Sequence, residues 1–319
     1  MTALRRVALL GLGLAYVHSV FGAIVRISGS GMGCGEHWPD CNGAFVPVVR
    51  NYTVAVEVTH RYLAATLLAT MCALVLLAMA RRREPGVGGA GGVLRPAILA
   101  LALVVTAAVV GMLVVMLSLS NPYLIAVHYT IAMATLAVLV VAAQRAGALG
   151  AETVRTGAAS LRVARAAAAA AGLAFVTVVL GALTANVPGA APSCRGFPWC
   201  RNGILTGGAA LDVQIVHRVL AMLLTLHLLG VAIGVVRRRE PPAVVRAAVL
   251  AVGVVLLQVG VAAALVELGL PPILQSLHQA VGTFLWVVVF ALAALAYRGA
   301  VGAAARSRPS IAVPTEAVA

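Results

Sequence analysis

The sequence predicts an all-α polytopic membrane protein: eight transmembrane helices, built as two tandem four-helix halves with pseudo-twofold symmetry about the membrane normal. Three observations predict it. The 319-residue chain is 62% hydrophobic and 10% charged, with a mean hydropathy of +1.04, whereas a soluble domain carries about a quarter charged residues to cover its surface. Eight apolar runs are long enough to cross roughly 30 Å of hydrocarbon, which takes about 20 helical residues. A cysteine pair followed by a His-Arg pair occurs twice, the His-Arg pairs lying 157 residues apart. A period of half the chain marks two related halves rather than a solenoid.

The runs lie at 8-27, 57-80, 97-117, 123-143, 166-186, 212-236, 247-267 and 275-297. Their connections alternate in character. The segments Arg81 to Arg95, Arg145 to Arg165 and Arg237 to Arg246 hold four arginines each; with Arg5, Arg6, Arg298, Arg306 and Arg308 they put 17 of 23 arginines on one side. In a soluble protein a net charge of +14 would suggest nucleic acid. Here its one-sided distribution reads as the positive-inside rule, with both termini cytoplasmic and the protein in the cell membrane. The first run follows only Arg5 and Arg6, with no small-x-small cleavage site and no soluble domain after it, so it reads as a retained helix. The expected divisions are an N-terminal half 1-143, a linker 144-165 with a surface helix, a C-terminal half 166-298 and a tail 299-319.

The other side carries two longer loops, 28-56 and 187-211, whose glycines and prolines imply turns. Each loop holds a cysteine pair, Cys34 with Cys41 and Cys194 with Cys200. Outside the cytosol such pairs persist as disulfides, and neither has the Cys-x-x-Cys spacing of a redox motif. Cys72, inside the second run, reads as a small buried apolar residue.

Four histidines stand in corresponding places: His60 and His128 in the first half, His217 and His278 in the second. All lie about three to five residues inside runs that start from the loop side, which at 1.5 Å per residue makes one layer. Ionisable groups at such places are functional candidates. Two imidazoles facing inward at matched depth are what a six-coordinate haem iron needs, pairing His60 with His128 and His217 with His278. Interhelical hydrogen bonding is the plainer reading, and zinc or copper another, although structural zinc prefers four closely grouped ligands. His18 and His227 have no counterparts and read as local packing; His37 is a loop residue at a ligand edge. Arg61 and Arg218 could each take a carboxylate such as a haem propionate bidentately, or meet headgroups.

The halves differ one helical turn before the first histidine of each, where Glu57 precedes His60 and Gln214 precedes His217. Glutamate can take a proton and glutamine cannot. If the halves divide labour, the first is reactive and the second holds a permanent redox cofactor. The alternative is an interfacial carboxylate favoured by the helix dipole.

Over residues 5-298 the chain resembles the haem A synthase family, with bacterial and mitochondrial members, and is closest to the bacterial type in having both cysteine pairs. The resemblance rests on Gly22-Ala-Ile-Val-Arg-Ile-Ser-Gly-Ser-Gly-Met-Gly-Cys34, Trp38-Pro39-Asp-Cys41-Asn-Gly43, Glu57-x-x-His60-Arg61, His128, Cys194 to Cys200, His217-Arg218 and Leu277-His278-Gln279. It implies oxidation of a ring methyl of haem O to a formyl group, through an alcohol and a geminal diol that loses water. It further implies a non-covalent resident haem b on His217 and His278. His60 and His128 would flank the substrate haem O, with Glu57 beside the reacting methyl. Partners implied are the lipid bilayer, haem O synthase and a terminal oxidase assembly system. On the residues alone two other readings stand: a quinol-linked dihaem electron carrier, which gives Glu57 no role, and a haem transporter built from a parallel repeat.

Overall fold

The structure, a computed structural model, describes residues 1-117, 119-154, 159-201 and 208-306. The expected tail beyond 306, and parts of the expected linker and second loop, lie outside the described residues. Eight α-helices form: α1 (Thr2–Ile27), α2 (Tyr52–Ala80), α3 (Leu94–Met116), α4 (Pro122–Arg145), α5 (Leu161–Asn186), α6 (Ala209–Arg237), α7 (Pro242–Glu267) and α8 (Pro272–Arg306). All eight are long and apolar enough to cross a membrane. Among the described residues there is no strand, only an isolated bridge between Cys41 and Ala44. The chain is an all-α, multi-pass membrane protein.

Several helices begin before the apolar run that predicts them, α1 at Thr2, α5 at Leu161 and α7 at Pro242. The added turns contain Arg5, Arg6, Arg162, Arg165 and Arg246. Hydropathy trims arginine, but the backbone ladder does not: arginine is a good helix former whose aliphatic stem lies along apolar surface. Starts are fixed by caps. Asn51 accepts from Val54 N–H, Asn121 from Tyr123 and Leu124 N–H ahead of Pro122, and Ser160 from Val163 N–H.

The neighbour relations carry the symmetry. In the first half α1 packs on α2, α2 on α3, α3 on α4 and α4 on α1; in the second α5 on α6, α6 on α7, α7 on α8 and α8 on α5. Between halves α4 meets α8, α1 meets α8 and α4 meets α5. Adding four to every helix number returns the same set, as a twofold axis between α4 and α8 demands. At such an axis a residue touches its own counterpart. Tyr129 and Gln279, 150 residues apart, do so: Gln279 Nε2 donates to Tyr129 Oη at 2.7 Å.

The core runs along this seam, with Met133, Leu136, Leu139 and Val140 of α4 against Leu285, Trp286, Val289 and Leu292 of α8. Trp286 Nε1–H donates to the Met133 carbonyl at 2.9 Å. Buried alanines of α5, at 167, 170, 171 and 174, let backbones approach closely where lipid gives no hydrophobic drive between helices. The linker forms no surface helix among the described residues: Ala146, Ala148 and Ala151 are buried, with only a 3-10 turn at Ala151–Thr153. Cys72 also differs from expectation. It is a free, exposed thiol on α2, on a face that a bilayer covers instead of protein.

Candidate functional site

Each connecting loop is fastened to the helix behind it. Cys34–Cys41 and Cys194–Cys200 are disulfides. Arg61 donates to the carbonyl oxygens of His37, at 2.7 Å, and Asp40, and forms an ion pair with Glu57. Arg218 repeats the arrangement, donating to the carbonyls of Gly196 at 2.7 Å and Cys194 at 2.8 Å. An arginine one residue after the histidine thus hooks the cystine loop onto the histidine's own turn. A carboxylate bound by these arginines has to use the N–H groups the loops leave over.

Glu57 is only 3% exposed, and its Oε2 accepts from Cys34 N–H at 2.8 Å. It lies five residues past Tyr52, inside α2. Gln214, its counterpart, is equally buried and accepts from Ser193 Oγ at 3.1 Å. In the second half a carboxylate comes from α7: Glu267 accepts from Phe197 N–H at 2.9 Å and pairs with Arg201 at 2.5 Å.

The histidines sit deeper than the hydropathy edges imply, at depths that repeat between halves. His60 and His217 each lie eight residues beyond the first residue of their helix, and His128 and His278 each six beyond theirs. At 1.5 Å per residue these are about 12 and 9 Å. The helices that carry them, α2 with α4 and α6 with α8, occupy opposite corners of each four-helix square. His60 and His128 are electrostatic neighbours, as are His217 and His278.

Three of the four rings press their Cε1 edge onto a glycine of the preceding helix. A Cβ added at Gly22 would lie 3.2 Å from His60 Cε1, at Gly111 3.1 Å from His128 Cε1, and at Gly181 3.0 Å from His217 Cε1. Only glycine lets the ring lie this close to the helix backbone. At His278 the neighbour is instead Gln258, whose Nε2 lies 3.0 Å from both His278 Nδ1 and the His278 carbonyl oxygen.

The Nδ1 atoms separate His60 from His217, the first histidine of each half. His217 Nδ1 lies 3.0 Å from the Thr177 carbonyl. A carbonyl only accepts, so Nδ1 carries the proton and Nε2 keeps its lone pair for a metal. In the first half His60 Nδ1 is buried without a hydrogen-bond partner, whereas His128 lies against the Ala107 backbone much as His217 lies against Thr177. His18, at the position of Thr177 in the repeat, stacks on His60 with ring centroids 4.2 Å apart and planes 9° apart. This contact was invisible in the sequence, because His18 has no counterpart to mark it. His227 is local, as expected, with Nε2 2.9 Å from the Ala166 carbonyl. His37 lies 3.8 Å from Asp40.

Among the described residues no group of three or more His, Cys, Asp or Glu side chains is placed to hold a bare metal ion. The residues do fit a haem. Paired imidazoles from opposite corners of one bundle, with glycines that clear the ring edges, are the donor set that a flat tetrapyrrole between two histidines requires.

Residues 5-290 match the family model COX15-CtaA, described as cytochrome oxidase assembly protein. The chain belongs to this family. Membership in COX15-CtaA, the haem A synthase family, implies a haem-related substrate or cofactor. Individual relatives match over short stretches. A heme A synthase of Lysinibacillus sphaericus is 48% identical over 40 residues, 12% of this chain and 13% of that protein. One of Bacillus mycoides is 50% identical over the same length and the same shares. A protoheme IX farnesyltransferase of Thermus thermophilus is 39% identical over 95 residues, 29% of this chain but 14% of that protein. The matched stretches thus span about one seventh of these relatives.

Proposed function

We propose that this COX15-CtaA protein is a haem A synthase that oxidises a ring methyl of haem O to a formyl group. The observation that carries the reading is the difference between the first histidines of the two halves: His217 is held in one tautomer by Thr177, whereas His60, one turn after Glu57, keeps an unpartnered Nδ1 and stacks on His18. A fixed imidazole at His217 suits a permanent cofactor, and an unfixed one at His60 suits a substrate that must enter and leave.

In this reading His217 and His278 would hold a resident haem b, which would supply electron transfer. His60 and His128 grip the substrate haem O from opposite corners of the first bundle. Gly22 and His18 set the ring of His60, Gly111 that of His128. Glu57, fixed by Arg61 and Cys34 N–H, keeps a free lone pair on each oxygen. It stabilises positive charge developing at the methyl carbon and receives a proton as the methyl is replaced. With water as the oxygen source, one oxygen replaces two methyl hydrogens through the alcohol and the geminal diol. Four electrons and four protons leave, the electrons to an external acceptor. The arginine-rich side is cytoplasmic, with both termini on it. A haem O synthase supplies the substrate, and terminal oxidase assembly consumes the product.

The test is pigment extraction and mass measurement from cells given the protein together with a haem O source. Hydroxylated and formylated haem is the expected result. Unchanged haem O, with a low-spin haem b present, overturns the enzyme reading in favour of a dihaem carrier.

A further inference from the structure

The polar contacts on the twofold axis tie one pocket to the other. Tyr129 and Gln279 each follow by one residue a histidine of a different half, His128 and His278. Their side chains bond directly, Gln279 Nε2 donating to Tyr129 Oη at 2.7 Å. Thr283, fully buried one turn further along α8, lies 3.4 Å from the same oxygen and donates its hydroxyl to the Gln279 carbonyl at 2.8 Å. Tyr16 of α1 adds a bond to the Ala280 carbonyl at 3.1 Å. Further along the seam Trp286 donates to the Met133 carbonyl and Gln144 to the Ala291 carbonyl at 3.1 Å, and the side chains packed around them are apolar. Holding two halves together does not call for such groups: one interhelical hydrogen bond in lipid is worth about a factor of three, and leucine packs as well. What the polar pair adds is a bond of fixed length at the level of the histidines.

We propose that Tyr129 and Gln279 are positioning residues that couple the two pockets, so that an occupant gripped by His128 is felt at His278. The proposal rests on the haem reading above. Adjacent side chains on a helix turn together, and their atoms lie about 5-6 Å from its axis. A rotation of α4 by about 10° therefore moves both His128 and Tyr129 by about 1 Å. The Tyr129–Gln279 bond cannot stretch that far, so either it breaks or α8 turns with α4 and carries His278. Coupling between binding sites is reciprocal, so occupancy at His278 acts on His128 to the same degree.

The experiment uses the full-length protein in lipid nanodiscs with haem b bound. Gallium(III) protoporphyrin IX, redox-silent and diamagnetic, is the probe for the first pocket. The midpoint potential and low-spin resonance signature of haem b are read with and without the probe, and the probe's affinity is measured with and without haem b. The wild type is expected to show a shift on adding probe, and about threefold tighter probe binding when haem b is present. Tyr129→Phe, which removes only the oxygen, and Gln279→Leu each abolish both effects while keeping haem b, and the double variant is no worse than either. Variants that bind haem b and keep the wild-type shift overturn the coupling, as does a wild type with no shift. A wild type that takes up no low-spin haem b, or whose probe binding survives His60→Ala unchanged, overturns the haem reading first.

Discussion

Gly181→Ala is the sharpest test of the haem b site proposed for the second half. The added Cβ would lie 3.0 Å from His217 Cε1, where an ordinary contact begins at 3.4 Å, so the ring must retreat by about 0.4 Å. Retreat from α5 stretches the contact between His217 Nδ1 and the Thr177 carbonyl from 3.0 Å to about 3.4 Å, at the limit of a hydrogen bond worth about 1 kcal/mol. The larger effect falls on the metal. Losing the group that orients a ligating histidine costs about 10-100-fold in metal affinity, so bound haem b should drop at least about tenfold. A reduced-minus-oxidised spectrum, normalised to protein, measures it. Gly172→Ala is the control on the same helix: nothing lies within 4 Å of its added Cβ, and helix propensity gains about 1 kcal/mol. Full haem b content in Gly181→Ala would refute the claim that Gly181 and Thr177 set the ring.

Gly22→Ala, with its Cβ 3.2 Å from His60 Cε1, should leave haem b intact and weaken haem O retention, measured by pigment extraction after purification. Glu57→Gln keeps an acceptor for Cys34 N–H but loses the charge opposite Arg61, costing about 1.5-3 kcal/mol. It should retain haem b and stop formyl product, and normal turnover would reject the carboxylate's role. A membrane-permeant maleimide should label one cysteine per chain, Cys72, without reductant, and all five of the sequence after reduction and unfolding; mass spectrometry counts them. Replacing Cys34 and Cys41 by serine opens a short loop whose closure is worth about 2-3 kcal/mol in the chain-entropy account, read as a lower thermal midpoint for loss of the haem spectrum.

The eight spans, the two halves and the cystine loops were legible because each rests on composition or spacing within one segment. Helix ends were not: hydropathy stops at Arg5 or Arg162, while backbone hydrogen bonding continues past them. The four paired histidines stood out because the repeat marked them. His18 did not, since the other half has threonine there, and its importance comes from a ring contact between α1 and α2. Gly22 and Gly181 were available to the same comparison, lying 159 residues apart against 157 for the histidines they face. Their meaning needed the knowledge that α1 lies against α2 and α5 against α6. Arg61 and Arg218 were visible as a repeated pair, but not as loop hooks, because the carbonyls they reach belong to residues without a sequence signature.

Those hooks tie each cover to its support. Each cystine loop is bolted to the turn that bears a histidine, so loop and helix form one piece and neither swings open alone. Under the proposed function, a porphyrin dragging a long greasy tail is thereby steered through the flank of the bundle, gliding in from the bilayer between helices.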